Sequence, residues 1–297
     1  MPSVVTAGDV RVLKRALRAA FKKSKNWLAE DHAAPEIDLG NPPFVYEDAN
    51  QFFRKIVKER ALHRPHYVWG ALQGVNLAKA LGLKQVSLIE FGVAGGNGLV
   101  ALENVAETLQ GAFGVNIDIH GFDAVGGMPK AKDHRDLPNL WREGFYPMGR
   151  EKLEQRLKRT RLHLGLVEET VPAFIESNPA PVAFIAFDLC FYSSTVKAFQ
   201  IFEADQSLLL PRVHCFFRNT LGRSFGDFNG ERLAMSEFNA AHEMRKLSQM
   251  YGLRHFLGDV GRWVDQYYMA HIFDHEQYGC YDGLIREAVL DLRDQGK

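Results

Sequence analysis

Five short apolar runs, separated by segments long enough for helices, constrain the fold of this chain more than any other feature. They are VSLIEFG at 86–92, IDIHGFD at 117–123, RLHLGLV at 161–167, VAFIAFDL at 182–189 and VHCFFRN at 213–219. Strands alternating with helices in this way build βαβ units and a mainly parallel sheet. Their near-continuous apolar character fits strands covered on both faces. After a helical stretch around 231–250, the runs LRHFLG and VDQYYMAHIF flank the loop GDVGRW and read as an antiparallel pair that closes the sheet. The pattern predicts an α/β fold: a Rossmann-like, doubly wound, mainly parallel seven-stranded sheet with an antiparallel C-terminal strand pair and an N-terminal helical extension. At 46% hydrophobic over 297 residues, the chain has the apolar material for such a core.

Ahead of the sheet, residues 9–28 place Leu13, Leu17, Phe21 and Leu28 at roughly helical spacing among seven lysines and arginines. Such a basic amphipathic helix is a candidate for peripheral contact with an anionic membrane or a protein partner, and equally for plain packing on one face. Three prolines between Asp31 and Pro43 read as a linker. Residues 50–62 and 67–81 then read as helices separated by HRPHY, where Pro65 interrupts the pattern. The expected organisation is a helical extension over 1–85 and a sheet domain over 86–297.

Charge and cysteine usage narrow the function classes. Equal numbers of basic and acidic residues, 36 of each, leave no overall field that would favour nucleic acid. Cys190, Cys215 and Cys280 form no CxxC pair, so neither a disulfide framework nor a zinc knuckle is expected. With no apolar run of the ~18–20 residues that span a bilayer and no leader-like start, the expected location is the cytoplasm. A homo-oligomer is left open.

The sharpest local feature is LIEFGVAGGNGLVALENV at 88–105: a strand ending beside Glu90, then Gly92, Gly95 and Gly96, then a helix start. Glycines let a backbone approach a ligand closely, and a helix start offers free N–H groups, so a nucleotide-like cofactor is the natural occupant. A tight turn without a ligand is the plain alternative. The spacing is not GxxxxGK[ST], and Gly92 and Gly95 stand three apart where a dinucleotide fingerprint needs two, which weakens a nicotinamide cofactor without removing it. Glu90 beside the loop would repel a pyrophosphate and suit a cofactor carrying an ammonium group. Asp123, just past the second strand, is placed to accept ribose hydroxyls or to cap its turn. Asp188 ends the fourth strand, where it can bind a metal, orient a hydroxyl or act as a base.

The series EFGVAGGNG, GFD with GGMPK, HLGLVEETVPAF, FDLCFYSST and GDFNGERLAMSEFN resembles the class I S-adenosylmethionine-dependent methyltransferases, nearest the macrocin O-methyltransferase-like branch and its uncharacterised bacterial relatives. The resemblance implies that Glu90, Gly92, Gly95 and Gly96 surround the methionine moiety, that Asp123 holds the ribose, and that Leu166, Val167 and Glu168 lie beside adenine. It further implies O-methylation of a sugar-like or secondary-metabolite acceptor, and a divalent metal at Asp188. The chain departs from the family at that metal. Cys190 stands where relatives carry the second Asp of an Asp-x-Asp, and Arg218 and Asn219 stand where they carry an Asp-Asp pair. The expectation is therefore a reaction without the metal, since oxygen-ligand sites for magnesium need those carboxylates.

The remaining candidates for proton transfer are His271, His275, Glu231 and His242, with His271 preferred. Arg218 could hold a substrate carboxylate or phosphate, or simply pair with Asp188 or Asp227. Tyr67, Trp69, Trp141, Phe145 and Tyr146 are candidates for an acceptor pocket, the last three from the long insertion after the second strand. Two other functions stay open: a cofactor-binding protein that has lost catalysis, and a nicotinamide-dependent enzyme.

Overall fold

The computed structural model describes residues 44–59, 64–222, 224–258 and 260–284. The basic helix expected at 9–28 and the linker at 31–43 lie outside them.

The seven strands are β1 (Gln85–Phe91), β2 (Asn116–Asp123), β3 (Thr160–Leu164), β4 (Val182–Phe187), β5 (Leu209–Phe217), β6 (Arg245–Gln249) and β7 (Tyr267–Ile272), in the order β3-β2-β1-β4-β5-β7-β6. Strands β1 to β5 run parallel, and β7 runs antiparallel to both β5 and β6. This is the doubly wound sheet with a reversed C-terminal pair that the apolar runs predict. Every residue of β4 and all but the first of β1 are buried, as strands covered on both faces must be.

The reversed pair differs from expectation in its first member. The helix expected over 231–250 stops at Ala241, and the partner of β7 is RKLSQ in β6 rather than LRHFLG. Only Leu247 of β6 is buried, as befits an edge strand whose polar side chains hide its pattern. The side chain of Asn239 anchors it: Leu247 N–H donates to Asn239 Oδ1 at 2.7 Å, and Asn239 Nδ2 donates to Leu247 O at 2.7 Å. LRHFLG instead supplies a one-turn helix at Leu253–Leu257, with both leucines, four residues apart on one face, buried.

Helices α1 (Tyr46–Glu59) and α2 (Pro65–Ala80) precede the sheet. Pro65 opens α2, where its missing N–H costs nothing. Residues 67–78 of α2 are all buried, and Tyr67 donates to Glu90 of β1 at 2.6 Å. Helix α2 packs on β1, β4 and β5, and α1 packs on α2.

Helices α3 (Asn97–Phe113), α4 (Arg150–Glu154), α5 (Val167–Glu176), α6 (Tyr192–Ala198) and α7 (Gly230–Ala241) complete the elements that bear on the site. Phe122, Phe91, Phe187 and Phe217 stand in register at or near the carboxyl ends of four adjacent strands. Their rings follow one another at centroid distances of 4.7, 5.3 and 4.4 Å, a continuous aromatic layer beneath the strand ends. Among the described residues no helix is long and apolar enough to cross a membrane.

Candidate active site

The sheet's hydrogen bonding continues past its strands. Gly165 N–H donates to Asp123 O at 3.0 Å, Gly92 N–H to Phe122 O at 2.9 Å, Asp188 N–H to Phe91 O at 2.9 Å and Arg218 N–H to Phe187 O at 3.0 Å. These bonds set Gly165, Gly92, Asp188 and Arg218 in a row along the carboxyl edge. A pocket of about 910 Å³ opens over that row, where ligands of open α/β sheets bind. Its walls take in Gly92, Asp123, Leu166, Val167, Glu168, Asp188 and Arg218 from the candidates named by sequence.

At the end of β1 the chain turns sharply. Gly92 has φ +83°, and a Cβ there would lie 2.4 Å from the backbone oxygen of Asp188. Two residues on, Ala94 is left-handed at φ +45°, an uncommon conformation outside glycine. The Asp123 carboxylate holds this turn: Oδ2 accepts Val93 N–H at 3.0 Å and Ala94 N–H at 2.8 Å, and Oδ1 accepts Val125 N–H at 2.7 Å. Oδ2 is thereby filled, so one lone pair of Oδ1 remains for a ligand hydroxyl. Asp123 is first a clamp on the turn and only then a ligand group.

Glu90, Gly95 and Gly96 are not among the pocket-lining residues. Gly96 caps α3 in a left-handed conformation. Glu90 lies one layer down, buried, its Oε1 accepting the Tyr67 hydroxyl while its buried Oε2 has no partner. Gly98 makes room for it, since a Cβ at 98 would meet Glu90 Oε1 at 1.8 Å.

Burial pushes the Glu90 carboxyl up from 4.5 to about 8, against the opposing hydrogen bond from Tyr67. The native state therefore favours the protonated form. The stability that form contributes is complete below pH 4.5 and is lost as pH rises through 8. Asp188 and Glu231, also raised by burial, act in the same sense. Glu90→Gln is expected to flatten the decline by up to about 1.4 kcal/mol per pH unit across that window. Denaturation midpoints of variant and parent at several pH values check this; parallel curves would refute the assignment.

Leu166 is the N-cap of α5, and Val167 and Glu168 open its first turn, whose N–H groups have no intrahelical partners. They form the pocket's β3 side. At the opposite end Arg218 Nε stands 3.6 Å from Asp188 Oδ2, while Asp227 pairs with Arg232 instead. Asp188 is half-buried, and desolvation raises its carboxyl against the pull of Arg218 and Arg64. Burial likewise pushes the Cys190 thiol up, keeping it protonated. This donor set of one carboxylate, a protonated thiol and a guanidinium does not fit an oxygen-ligated divalent cation. Among the described residues no three His, Cys, Asp or Glu side chains group to hold a metal ion.

The insertion between β2 and β3 is tied across the pocket. Asp136, fully buried, accepts Lys132 N–H, Ser193 N–H and the Ser193 hydroxyl at 2.8–2.9 Å. Ser193 is thus a donor to this carboxylate rather than a cap of α6. Trp141, Phe145 and Tyr146 of the insertion line the pocket; Tyr67 and Trp69 are core.

His271 lies elsewhere. Because β7 runs antiparallel, its late residues fall at the amino edge of the parallel strands: His271 pairs with Arg212 near the start of β5, and its Nδ1 lies 2.9 Å from the Tyr278 hydroxyl. It cannot reach the pocket. His242 stacks on Phe238, His275 accepts Gln277 N–H, and Glu231 is buried, accepting Asn219 N–H at 2.8 Å. The sequence reading did not single out His66, in the first turn of α2, although it lines the pocket. Its ring lies 4.2 Å from that of Phe216, and its buried Nε2 has no partner. Burial, then Arg64 and Arg218, lower its pKa to about 3, so it is neutral. Lys130, Lys132, Arg262 and Gln266 were missed too; Gln266 holds the backbone oxygen of Arg218.

Compared with known proteins, the chain matches no family model and no curated protein. It is similar to solved structures. The calicheamicin methyltransferase CalS11 is 22% identical, with 69% of this chain and 88% of that one covered at a TM-score of 0.47. The SAH-bound Podospora anserina methyltransferase PaMTH1 is 15% identical over 78% and 98%, at 0.40, and an O-methyltransferase from Bacillus cereus in complex with SAH is 14% identical over 75% and 90%, at 0.37. At such identities and scores these likenesses say nothing of what this chain binds.

Proposed function

We propose that this chain is a methyltransferase that binds S-adenosylmethionine over the Gly92 turn and methylates an oxygen of a small-molecule acceptor. The observation that carries the reading is the Asp123 carboxylate, which lines the pocket, holds the turn at Val93 and Ala94, and keeps capacity for one further hydrogen bond at Oδ1. The cofactor supplies an electrophilic methyl group when bound. Asp123 accepts one of its hydroxyls, and the first-turn N–H groups of Val167 and Glu168 offer donors to its base.

At the other end the acceptor hydroxyl sits against Asp188. As the acceptor hydroxyl takes up the methyl group that the cofactor would supply, Asp188 would receive the hydroxyl proton. Desolvation makes Asp188 a better proton acceptor than an exposed Asp, and Arg218 keeps it charged beforehand. Positioning does the rest, an effect worth several kcal/mol of the barrier. With no metal in the scheme, magnesium and chelators are expected to leave both affinity and rate unchanged.

The Arg218–Asp188 pair also favours a second reading, a cofactor-binding protein without turnover, because a paired carboxylate gives up some basicity. Calorimetry with S-adenosylhomocysteine, run with and without magnesium, tests the shared part. Micromolar binding indifferent to magnesium is expected; no binding, or binding of NAD in its place, would overturn both readings. Transfer of labelled methyl to an acceptor panel, abolished in Asp188→Asn, separates the enzyme from its inactive counterpart.

A further inference from the structure

The ionisable side chains of the pocket are sorted by position. Beside the glycine turn and the end of β3 stand two carboxylates, Asp123 and Glu168, and no cation. At the far end, where the one carboxylate is Asp188, stand Arg218 beside it, Arg262 four residues before the Gln266 that holds the Arg218 backbone oxygen, and Lys132, tied through Asp136 to Ser193 of α6, with Lys130 two residues ahead of it in the same insertion. Elsewhere Arg135 pairs with Asp133, Arg212 with Asp282, Arg245 with Asp274 and Arg254 with Asp265. Lys130, Lys132 and Arg262 have no carboxylate partner among the described residues. Arg218, at 53% side-chain exposure, makes a single 3.6 Å contact with Asp188, which leaves most of its planar donor fork free.

Like charges gathered in one cleft repel each other, and low-dielectric walls focus their field on whatever enters. Here those walls are partly aromatic. Trp141 and Phe225 lie nearly parallel at 6.4 Å, and Phe145 and Tyr146 are 41% and 56% exposed. His66, being neutral, adds no further positive charge. A neutral acceptor would leave four cations facing the single carboxylate of Asp188, whereas an anion would relieve their repulsion and accept a forked pair of hydrogen bonds from a guanidinium.

We infer that the acceptor is an organic anion: a small ring-bearing molecule with a phosphate or carboxylate group, gripped by Arg218 and Arg262 with Lys130 and Lys132 at the rim. That this end takes the acceptor rests on the methyltransferase reading; that it takes an anion does not.

Inorganic pyrophosphate and malonate serve as probes, titrated calorimetrically into the full chain, both ligand-free and loaded with S-adenosylhomocysteine. At least one is expected to bind with one-to-one stoichiometry, more weakly as salt is raised, and at least ~10-fold more weakly in Arg262→Ala and in the Lys130→Ala, Lys132→Ala double variant. Affinity for S-adenosylhomocysteine should stay within about two-fold in those variants, because the substitutions lie at the far end. The tighter of the two probes identifies the anionic group. Failure of both to bind, or binding indifferent to every substitution, overturns the inference. If S-adenosylhomocysteine does not bind the parent protein, the methyltransferase reading fails while the anion result is still read on the ligand-free chain.

Discussion

Gly92→Ala is expected to cost about 3–5 kcal/mol, a large share of the ~5–15 kcal/mol that holds a domain together. Two effects add. At φ +83° a Cβ is strained by about 1–3 kcal/mol, and the same Cβ would sit 2.4 Å from the Asp188 backbone oxygen, which the strand ladder holds in place. Nothing flexible can yield there, since the contact is with backbone. Gly95→Ala is the control: no atom lies within 4 Å of its Cβ position and its φ is not positive. Denaturant unfolding should show the first variant strongly destabilised and the second close to the parent. Equal midpoints for both would mean that the turn is not built as described.

Asp123→Ala is expected to raise the dissociation constant for S-adenosylhomocysteine by at least ~100-fold, about 2.7 kcal/mol. The side chain holds three backbone N–H groups, each bond to a charged acceptor being worth about 1.5–3 kcal/mol, and without it the left-handed Ala94 has little to keep it in place. Asp123→Asn should fall between, because its single oxygen can still take Val93 and Ala94 but cannot also serve Val125. Calorimetry reads the affinities, and thermal unfolding of the same samples reports the stability lost with the turn. Parent-like affinity in Asp123→Ala would move the cofactor away from this turn.

The strands and their ends were legible from local pattern. Buried parallel strands must be apolar throughout, and each stops at a residue that breaks the run, so Gly92, Asp123, Asp188 and Arg218 announce themselves by position. The edge strand β6 was not legible, because an edge needs few apolar residues; RKLSQ buries only Leu247 and takes its place through Asn239 of α7. His271 looked available for proton transfer because a histidine titrates near neutrality. Strand direction, which no local pattern carries, sends it to the far edge. Glu90 read as a ligand group beside the glycines, yet it is sealed under Gly98 and bonded to Tyr67 of a helix 23 residues earlier.

The pocket's far wall shows the same division. Lys130 and Lys132 come from the insertion after β2, Arg218 from the end of β5, Arg262 from the approach to β7 and His66 from α2. Periodicity and glycine spacing settle the elements and the residues at their ends, because those depend on neighbours along the chain: alternation of apolar and helical segments, a strand broken at Gly92, a proline at the start of α2. The tertiary structure alone decided which side chains share a cavity, which carboxylates are sealed from water, and which cations are left without partners. Those depend on the folded path of the chain through the order β3-β2-β1-β4-β5-β7-β6, and segments distant in sequence meet only once that path is closed.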